Sequence, residues 1–431
     1  MLDGPMLVKA ATSMEFSLDI PTDILSEKPT SFFRDLQSQI DQDDPQKRCQ
    51  RYGYQYQYHP SAKSRRRRLF LGSLIAEEPL ELLQIVAAES YGIYAGMVFV
   101  ESNRTQNFDP RPVRRANDQN HIQQLQTLFG TPQLQIRLYT NEKPRFTGIR
   151  REHAQRQEIL RGWKEMGMTP FDVGIIADAD ETFTRDFLRA AQECDIPHLD
   201  YAQHQCFTSN VKLAASSLVF ETSPECVTAQ RGWYHPEMIL GACIEMIGNR
   251  SVHPLAFRDG PRRAHGYGRA CSKDFSKLVP GRHPLWNAAD FRMLCGRQAY
   301  GGGNDNGHHH HHSSRSNYTG FHFHNWFTSF NATRLKYKTY GHAMKARKAF
   351  TWPLYQIGKN DLKLMYHCVR NMPDEKEQKW KRVLGGFQNI LPPIPIYFAD
   401  TQYLWKRHEW IKKQVQMDDE MVEKLQQSAP T

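Results

Sequence analysis

The stretch FDVGIIADADETF, residues 171–183, has two halves of opposite character. Val173 to Ala177 is a short apolar run that reads as a buried strand, and Asp178, Asp180 and Glu181 follow it at once. Three carboxylates at the end of a buried strand repel one another unless a cation sits among them. Hard oxygen ligands suit Mg²⁺ or Mn²⁺, and the carboxyl edge of an α/β sheet is where such folds bind nucleotides. The D-x-D pattern is weak by itself. Asp41-Gln42-Asp43 fits it too, inside a polar segment, and reads as solvated surface. Context has to separate the two.

Outward from the aspartates the chain alternates elements. Just upstream, residues 150–166 place Ile159, Leu160, Trp163 and Met166 at helical spacing, with Gly167 as the stop. Before that helix, Leu134, Ile136 and Leu138 suggest a strand, and residues 97–100 another that ends in Glu101-Ser102-Asn103. LFLGSLI at 69–75 is a continuous apolar strand. Pro79 then opens a helix through Ser90, with Leu82, Leu83, Val86 and Ala87 on one face and Gly92 ending it. Downstream, Thr184 can cap a helix through Gln192, residues 218–221 read as a strand and residues 236–247 as a helix. This β-α-β order predicts a mostly parallel sheet with right-handed crossovers, a Rossmann-like α/β layer structure. No G-x-G-x-x-G follows the first strand and there is no Walker lysine loop, which counts against NAD binding and P-loop hydrolysis.

The 431 residues are 39% hydrophobic and 24% charged, enough for one large domain with flanking segments. We expect a polar, flexible lead-in over residues 1–62 with a short helix near 32–40, a catalytic domain over 63–400, and a helical tail over 401–431. Within the domain, residues 248–318 are rich in Gly, Arg, His and Pro and read as an irregular, partly disordered insertion (252–318), including five consecutive histidines at 308–312. Imidazoles on a Gly/Asn/Ser-flanked loop have no fixed geometry for a metal. Lys plus Arg number 56 against 46 Asp plus Glu, a balance of +10 that suits an anionic ligand without choosing among nucleotide, membrane surface and nucleic acid. SRRRR at 64–68 lacks the interleaved aromatics of an RNA binder and reads as a solvated boundary, so no nucleic-acid partner is expected. No apolar run reaches the roughly 18 to 20 residues that cross a bilayer, and membrane association would require an anchor this chain does not show. Four N-x-S/T sequons, at Asn103, Asn249, Asn317 and Asn331, hint at a secretory address. The eight cysteines never form C-x-x-C, which argues against a zinc ribbon or thioredoxin-type site and leaves their bonding open.

Four separated stretches, in order over about residues 68–347, resemble glycosyltransferase family 17, the enzymes similar to β-1,4-mannosyl-glycoprotein 4-β-N-acetylglucosaminyltransferase. VFVESNRTQNFDPRPV at 98–113 resembles the family's E-S-N-x-T and P-R-P-L segment. Residues 69–92 look like its first strand and helix, and IIADADET at 175–182 is similar to its I-I-x-D-A-D-E-I segment. GFHFHNWF followed by RLKYKTYGH, within 320–342, resembles its G-W-H-F-S stretch with a lysine and a closing S-F-x-H downstream, and Phe321 stands where the family has Trp. Residues 248–318 have no counterpart.

The resemblance implies a GT-A fold and a metal-dependent inverting transfer from a UDP-sugar, by family UDP-GlcNAc, to a glycan or glycoprotein acceptor in the Golgi lumen or secretory pathway. Asp180 would ligate Mn²⁺ or Mg²⁺ directly, with Asp178 reaching the metal through water or contacting the ribose. His322 would return to the metal as a third ligand, and His342 is a phosphate contact or a packing residue. Glu101, with Asn103 of the same stretch, would meet the uracil or ribose, and Arg151 and Arg156 would neutralise the diphosphate. Inversion also needs a carboxylate that takes the acceptor proton. Among Glu221, Glu245 and Asp290, the locally apolar setting of Asp290 makes it the choice. A nucleic-acid-binding protein and a catalytically silent scaffold on the same fold are the competing readings.

Overall fold

The apolar run of the opening stretch is a strand, Val173–Asp178, buried along its length until its last residue. A computed structural model describes residues 28–56, 66–140, 142, 148–201, 212–228, 235–248, 297–299, 318–339 and 394–427. The described elements begin with helices α1 (Thr30–Asp41) and α2 (Pro45–Arg51) and the short strand β1 (Gln55–Tyr56). Then come β2 (Leu69–Leu74), α3 (Leu80–Ser90), β3 (Tyr94–Ser102), α4 (Gln119–Phe129), β4 (Leu134–Tyr139), α5 (Ile149–Glu165) and β5 (Val173–Asp178). After the aspartates follow β6 (Glu181–Phe183), α6 (Arg185–Glu193), β7 (Cys194–Asp195), β8 (Lys212–Ala214), β9 (Ser217–Glu221), β10 (Val227–Thr228) and β11 (Glu237–Leu240). The last are β12 (Arg297–Ala299), β13 (Gly320–His324), α7 (Phe330–Thr339) and α8 (Thr401–Gln427).

Among the described residues the main sheet runs β12-β8-β11-β5-β2-β3-β4. The expected parallel block is present: β4, β3, β2 and β5 lie parallel, and the register sets Leu74 against Asp178 at the carboxyl edge. Both faces are covered, as a parallel sheet requires. Leu69, Leu71, Met97, Phe99 and Ile175 face α3, α4 and α6, while Phe70, Val98, Val100 and Ile176 face α5. On that second face Trp163 donates from its indole N–H to the Leu71 carbonyl at 3.1 Å. Gly72 lets α5 come so close that an added Cβ would meet Ile159 at 2.0 Å.

Residues 236–247 are not the expected helix. Glu237–Leu240 is a strand antiparallel to both β5 and β8, and a 3-10 turn follows at Gly241–Cys243. Met238, Ile239 and Leu240 are all buried, so the run has no polar face and is satisfied by a central strand position. Gly241 ends it under the 169–172 loop, where a Cβ would lie 2.3 Å from the Thr169 carbonyl oxygen.

The polar lead-in is also built into the domain from residue 28 to residue 56, and Asp41 is not solvated surface. It accepts from both Arg185 and Arg189, with ion-pair distances of 2.7 and 2.6 Å. Burial pushes the Asp41 carboxyl up, and the hydrogen bonds and charges of Arg189 and Arg185 outweigh it, holding it below the usual carboxylate range. Next to it, Asp186 accepts from Arg48 at 3.0 Å, Arg51 at 2.6 Å and the Tyr52 hydroxyl at 2.7 Å. Polar composition hid this interface because much of its attachment is ionic, alongside a small apolar contact in which Phe33 stacks on Tyr397 and Tyr52 packs on Phe187. A disulfide between Cys49 and Cys194 closes it, and Cys243 is disulfide-bonded as well. Replacing Cys49 and Cys194 together by serine should destabilise the protein by about 2–4 kcal/mol, because the crosslink restricts the unfolded chain. An unchanged urea midpoint would show that the ionic contacts alone hold α2.

A second sheet, β10-β9-β13-β6, stands beside the carboxyl edge of the first. Its antiparallel β13–β6 pairing puts His322 opposite Glu181, and its parallel β13–β9 pairing puts His324 opposite Glu221. Phe220, Phe321, Phe323, Trp326 and Phe398 pack beneath it. Phe321, which stands where the family has Trp, is thus buried in an aromatic core. Of the helical tail expected over residues 401–431, Thr401–Gln427 is a helix, but its first half is packed, with Tyr403, Leu404, Arg407, His408 and Ile411 buried. Among the described residues no helix is long and apolar enough to cross a membrane.

Candidate metal and nucleotide site

The main sheet delivers Asp180 and the second sheet delivers His322. The chain leaves β5 at Asp178, turns through Ala179 and Asp180, and re-enters extended structure at Glu181. The turn is fixed from the other side, since the Phe323 N–H donates to the Asp180 carbonyl at 2.8 Å. In consequence one ligand atom from each of Asp180, Glu181 and His322 lies within 4.8 Å of the others, and His322 Nε2 is 3.5 Å from Asp180 Oδ2.

These three groups fit a hard divalent cation. Donor atoms roughly 2.1 Å from one ion lie at most about 4.2 Å apart, so the spread of this cluster is within a small adjustment of a shared ion. Two carboxylate oxygens and one imidazole suit Mn²⁺ or Mg²⁺ better than a soft metal. The electrostatics favour charge here. Burial pushes the Asp180 carboxyl up, but the charge and hydrogen bond of His322, with the Lys336 charge, hold it below the usual range. Burial pushes His322 down, and Asp180 and Glu181 together raise it above the ordinary imidazole value.

Asp178 does not converge with them. Its carboxylate faces Arg156, which also pairs with Glu152 at 3.0 Å. The Asp178 side chain is 39% exposed, and its backbone N–H donates to Glu181 Oε2 at 2.9 Å, so it braces the cluster from the outside. Arg156, expected at a diphosphate, is buried and held by those two acids. Arg151 is buried too. It donates to the Ser102 hydroxyl at 2.9 Å and lies over the rings of Phe108 and Tyr139. Glu101 sits at the carboxyl end of β3 as expected, yet both its oxygens are engaged by the backbone N–H groups of Arg114, Arg115 and Ala116 at 2.9, 2.9 and 2.7 Å. It fixes the loop that follows β3. The Asn103 amide donates to Glu142 at 2.7 Å at the same edge.

Sequence reasoning passed over the groups beside His322. His324 lies on the same face of β13, with ring centroids 5.1 Å apart, and its Nδ1 is 2.7 Å from Glu221 Oε2. Asn325 donates to Glu221 Oε1 at 2.5 Å and accepts from Lys336 Nζ at 3.3 Å. The period-2 spacing of HFH was the available signal, since residues i and i+2 of a strand share a face. Glu221, one of the three acids considered for the acceptor side, is therefore placed near the Asp180–Glu181–His322 group. Glu245 accepts from Gln157 of α5 at 3.1 Å. Asp290 and His342, with the five histidines, fall outside the described residues.

Backbone strain accompanies this corner. Thr222, directly after Glu221, has φ of 64°, which a β-branched residue rarely adopts, and Asn325 has φ of 56°. The Thr222 carbonyl accepts from Arg407 at 3.0 and 3.2 Å, and its N–H donates to the His324 carbonyl at 2.8 Å. Helix α8 thus holds the end of β9 in the conformation that aims Glu221.

No curated protein matches this sequence. The model of glycosyltransferase family 17 matches residues 22–209, somewhat under half of the chain. That span includes α1, α2, the parallel block and the carboxylates after β5, and it ends before β9 and β13. Its start within the lead-in agrees with the packing of α1 and α2 onto the domain. Over residues 22–209 the chain thus matches glycosyltransferase family 17, the family its motifs resemble, and the match supports a glycosyltransferase.

Proposed function

We propose that this protein is a metal-dependent inverting glycosyltransferase that moves a sugar from a UDP donor to a glycan, with GlcNAc as the sugar and the core mannose of an N-glycan as the acceptor on the family resemblance. The observation that carries the reading is the convergence of Asp180, Glu181 and His322 at the carboxyl edge of a parallel block. A GT-A architecture is supported by that block with an antiparallel strand, β11, inserted next to β5. Nucleotides bind at such edges because strand ends leave a crevice there.

Asp180, Glu181 and His322 would hold the Mn²⁺ or Mg²⁺. When bound, the cation supplies positive charge to the two phosphates of the leaving group. Asp178 and Arg156 keep the turn in place, and Glu101 shapes the β3 edge beside which the nucleoside would lie. In the transfer, the acceptor oxygen forms a bond to the anomeric carbon from the face opposite the nucleotide. The bond from that carbon to the β-phosphate oxygen breaks, its electron pair leaving with UDP. The hydroxyl proton passes to a carboxylate, for which Asp290 is the residue assigned from sequence.

The Cys49–Cys194 disulfide supports folding in an oxidising compartment, in keeping with the Golgi or secretory address that the family suggests. The nucleic-acid reading loses its main support. In the arginine run, Arg68 is paired with Asp172 at 2.6 Å, Arg66 with Glu193 at 2.9 Å, and Arg67 donates to the Ala191 and Cys194 carbonyls.

A panel of UDP-sugars incubated with the protein and Mn²⁺, without acceptor, tests the proposal through slow donor hydrolysis. We expect UDP-GlcNAc to be hydrolysed fastest. Turnover of UDP-galactose or UDP-glucose in its place would remove the GlcNAc assignment and keep the metal site. Hydrolysis of none of them would contradict the transferase reading.

A further inference from the structure

Two arginines were expected to meet the diphosphate, and neither is disposed to. Arg156 is buried between Glu152 and Asp178, and Arg151 is buried against Ser102 and two aromatic rings. A diphosphate beside the metal cluster needs a cation whose charge is not already matched by a carboxylate. Lys336, on α7, is such a group. Among the described residues its contacts are the Asn325 side-chain oxygen at 3.3 Å and the face of Phe327, 5.1 Å from the ring centroid, and neither partner is charged.

Its position follows from the strand below it. Asn325 is fixed by Glu221, Glu221 also holds His324, and the His324 ring lies 5.1 Å from that of His322. Lys336 therefore sits over the same corner as Asp180, Glu181 and His322, approaching from the second sheet. A lysine acts on phosphate as a compact, rotatable point charge, and a neutral amide partner orients it without cancelling that charge.

We propose that Lys336 binds the β-phosphate of the nucleoside diphosphate and takes up its charge as the sugar leaves. The inference rests on the transferase reading and deepens it. The bond cleaved is that between the anomeric carbon and the β-phosphate oxygen, and the electron pair arriving on that oxygen is the charge Lys336 would meet. Phe327 and Asn325 hold the ammonium ready before the nucleotide enters.

Calorimetric titration of UDP and of UMP, each with Mn²⁺, into the wild-type protein, Lys336→Met and Lys336→Arg tests this. We expect Lys336→Met to weaken UDP binding about tenfold or more, as loss of a charge-assisted contact would. UMP, which lacks the β-phosphate, should change far less, and Lys336→Arg should recover part of the UDP affinity. Wild-type UDP affinity in Lys336→Met would overturn the assignment, and equal weakening of UDP and UMP would reduce Lys336 to a structural residue. If the wild-type protein itself binds no UDP with Mn²⁺, the transferase reading fails and this inference with it.

Discussion

Replacing Arg407 by methionine should cost about 3–5 kcal/mol of stability, because it leaves a buried carboxylate without its counter-charge. Arg407 and Glu81 are both fully buried and 2.9 Å apart, and the second Glu81 oxygen accepts from the Tyr403 hydroxyl at 2.7 Å. The guanidinium also lies between the rings of Trp326 and Trp410, with centroids at 4.7 and 4.4 Å. It therefore joins α8 to α3 and, through the Thr222 carbonyl, to the end of β9. Methionine preserves much of the packing volume but none of these donors. The paired change Arg407→Met with Glu81→Gln should recover a large part of the loss, since it removes the stranded charge. Urea unfolding of the two variants reads the difference. A cost under about 1 kcal/mol for the single substitution would mean that water reaches Glu81 and that α8 is not fastened as described.

The same contact bears on the site. The left-handed backbone of Thr222 is gripped at its carbonyl by Arg407 and at its N–H by β13. Relaxation there would turn Glu221 away from His324 and Asn325. Arg407→Met should thus loosen the corner on which Lys336 rests, even though it touches none of the three candidate metal ligands.

The parallel block was legible because its strands are continuous apolar runs bounded by helices with clear starts and stops. Val173 to Ala177 and Leu69 to Leu74 are short runs set between well-marked helices, and that β-α-β context reads them as strands between two covered faces. The 236–247 segment was misread for a related reason. A short run that is apolar all round is equally consistent with a buried helix, and only its pairing with β5 and β8 settles the matter. Residues 28–56 were misread because much of their attachment runs through the ion pairs of Asp41 and Arg48 with α6, and long-range ion pairs leave no periodic trace. In the site, Asp180 followed from sequence position and His322 from the family resemblance. Glu181 was read as one of three clustered acids but not named as a ligand, and the lysine of the family stretch was given no role, since both roles depend on the register of β6 against β13 and on how α7 returns over it. Asp178 and Arg156 were each assigned to a ligand, whereas the fold pairs them with one another.

Asp180→Asn should abolish the metal-dependent part of UDP binding while leaving the fold intact. The substitution keeps the size and polarity of the side chain and removes its charge. It does so at a turn whose backbone is fixed by the Asp180 carbonyl rather than by the carboxylate. Asp180 is the member of the cluster in contact with His322, so its loss removes one ligand and the anchor of another. Partners that only orient a ligand are worth about 10–100-fold in metal affinity, and a ligand itself should exceed that. The titration of UDP with and without Mn²⁺ into the wild-type protein and into Asp180→Asn is the most direct measurement of the central claim. The account predicts that Mn²⁺ strengthens UDP binding to the wild-type protein and has no effect on Asp180→Asn. Equal, Mn²⁺-dependent UDP affinity in both proteins would contradict it.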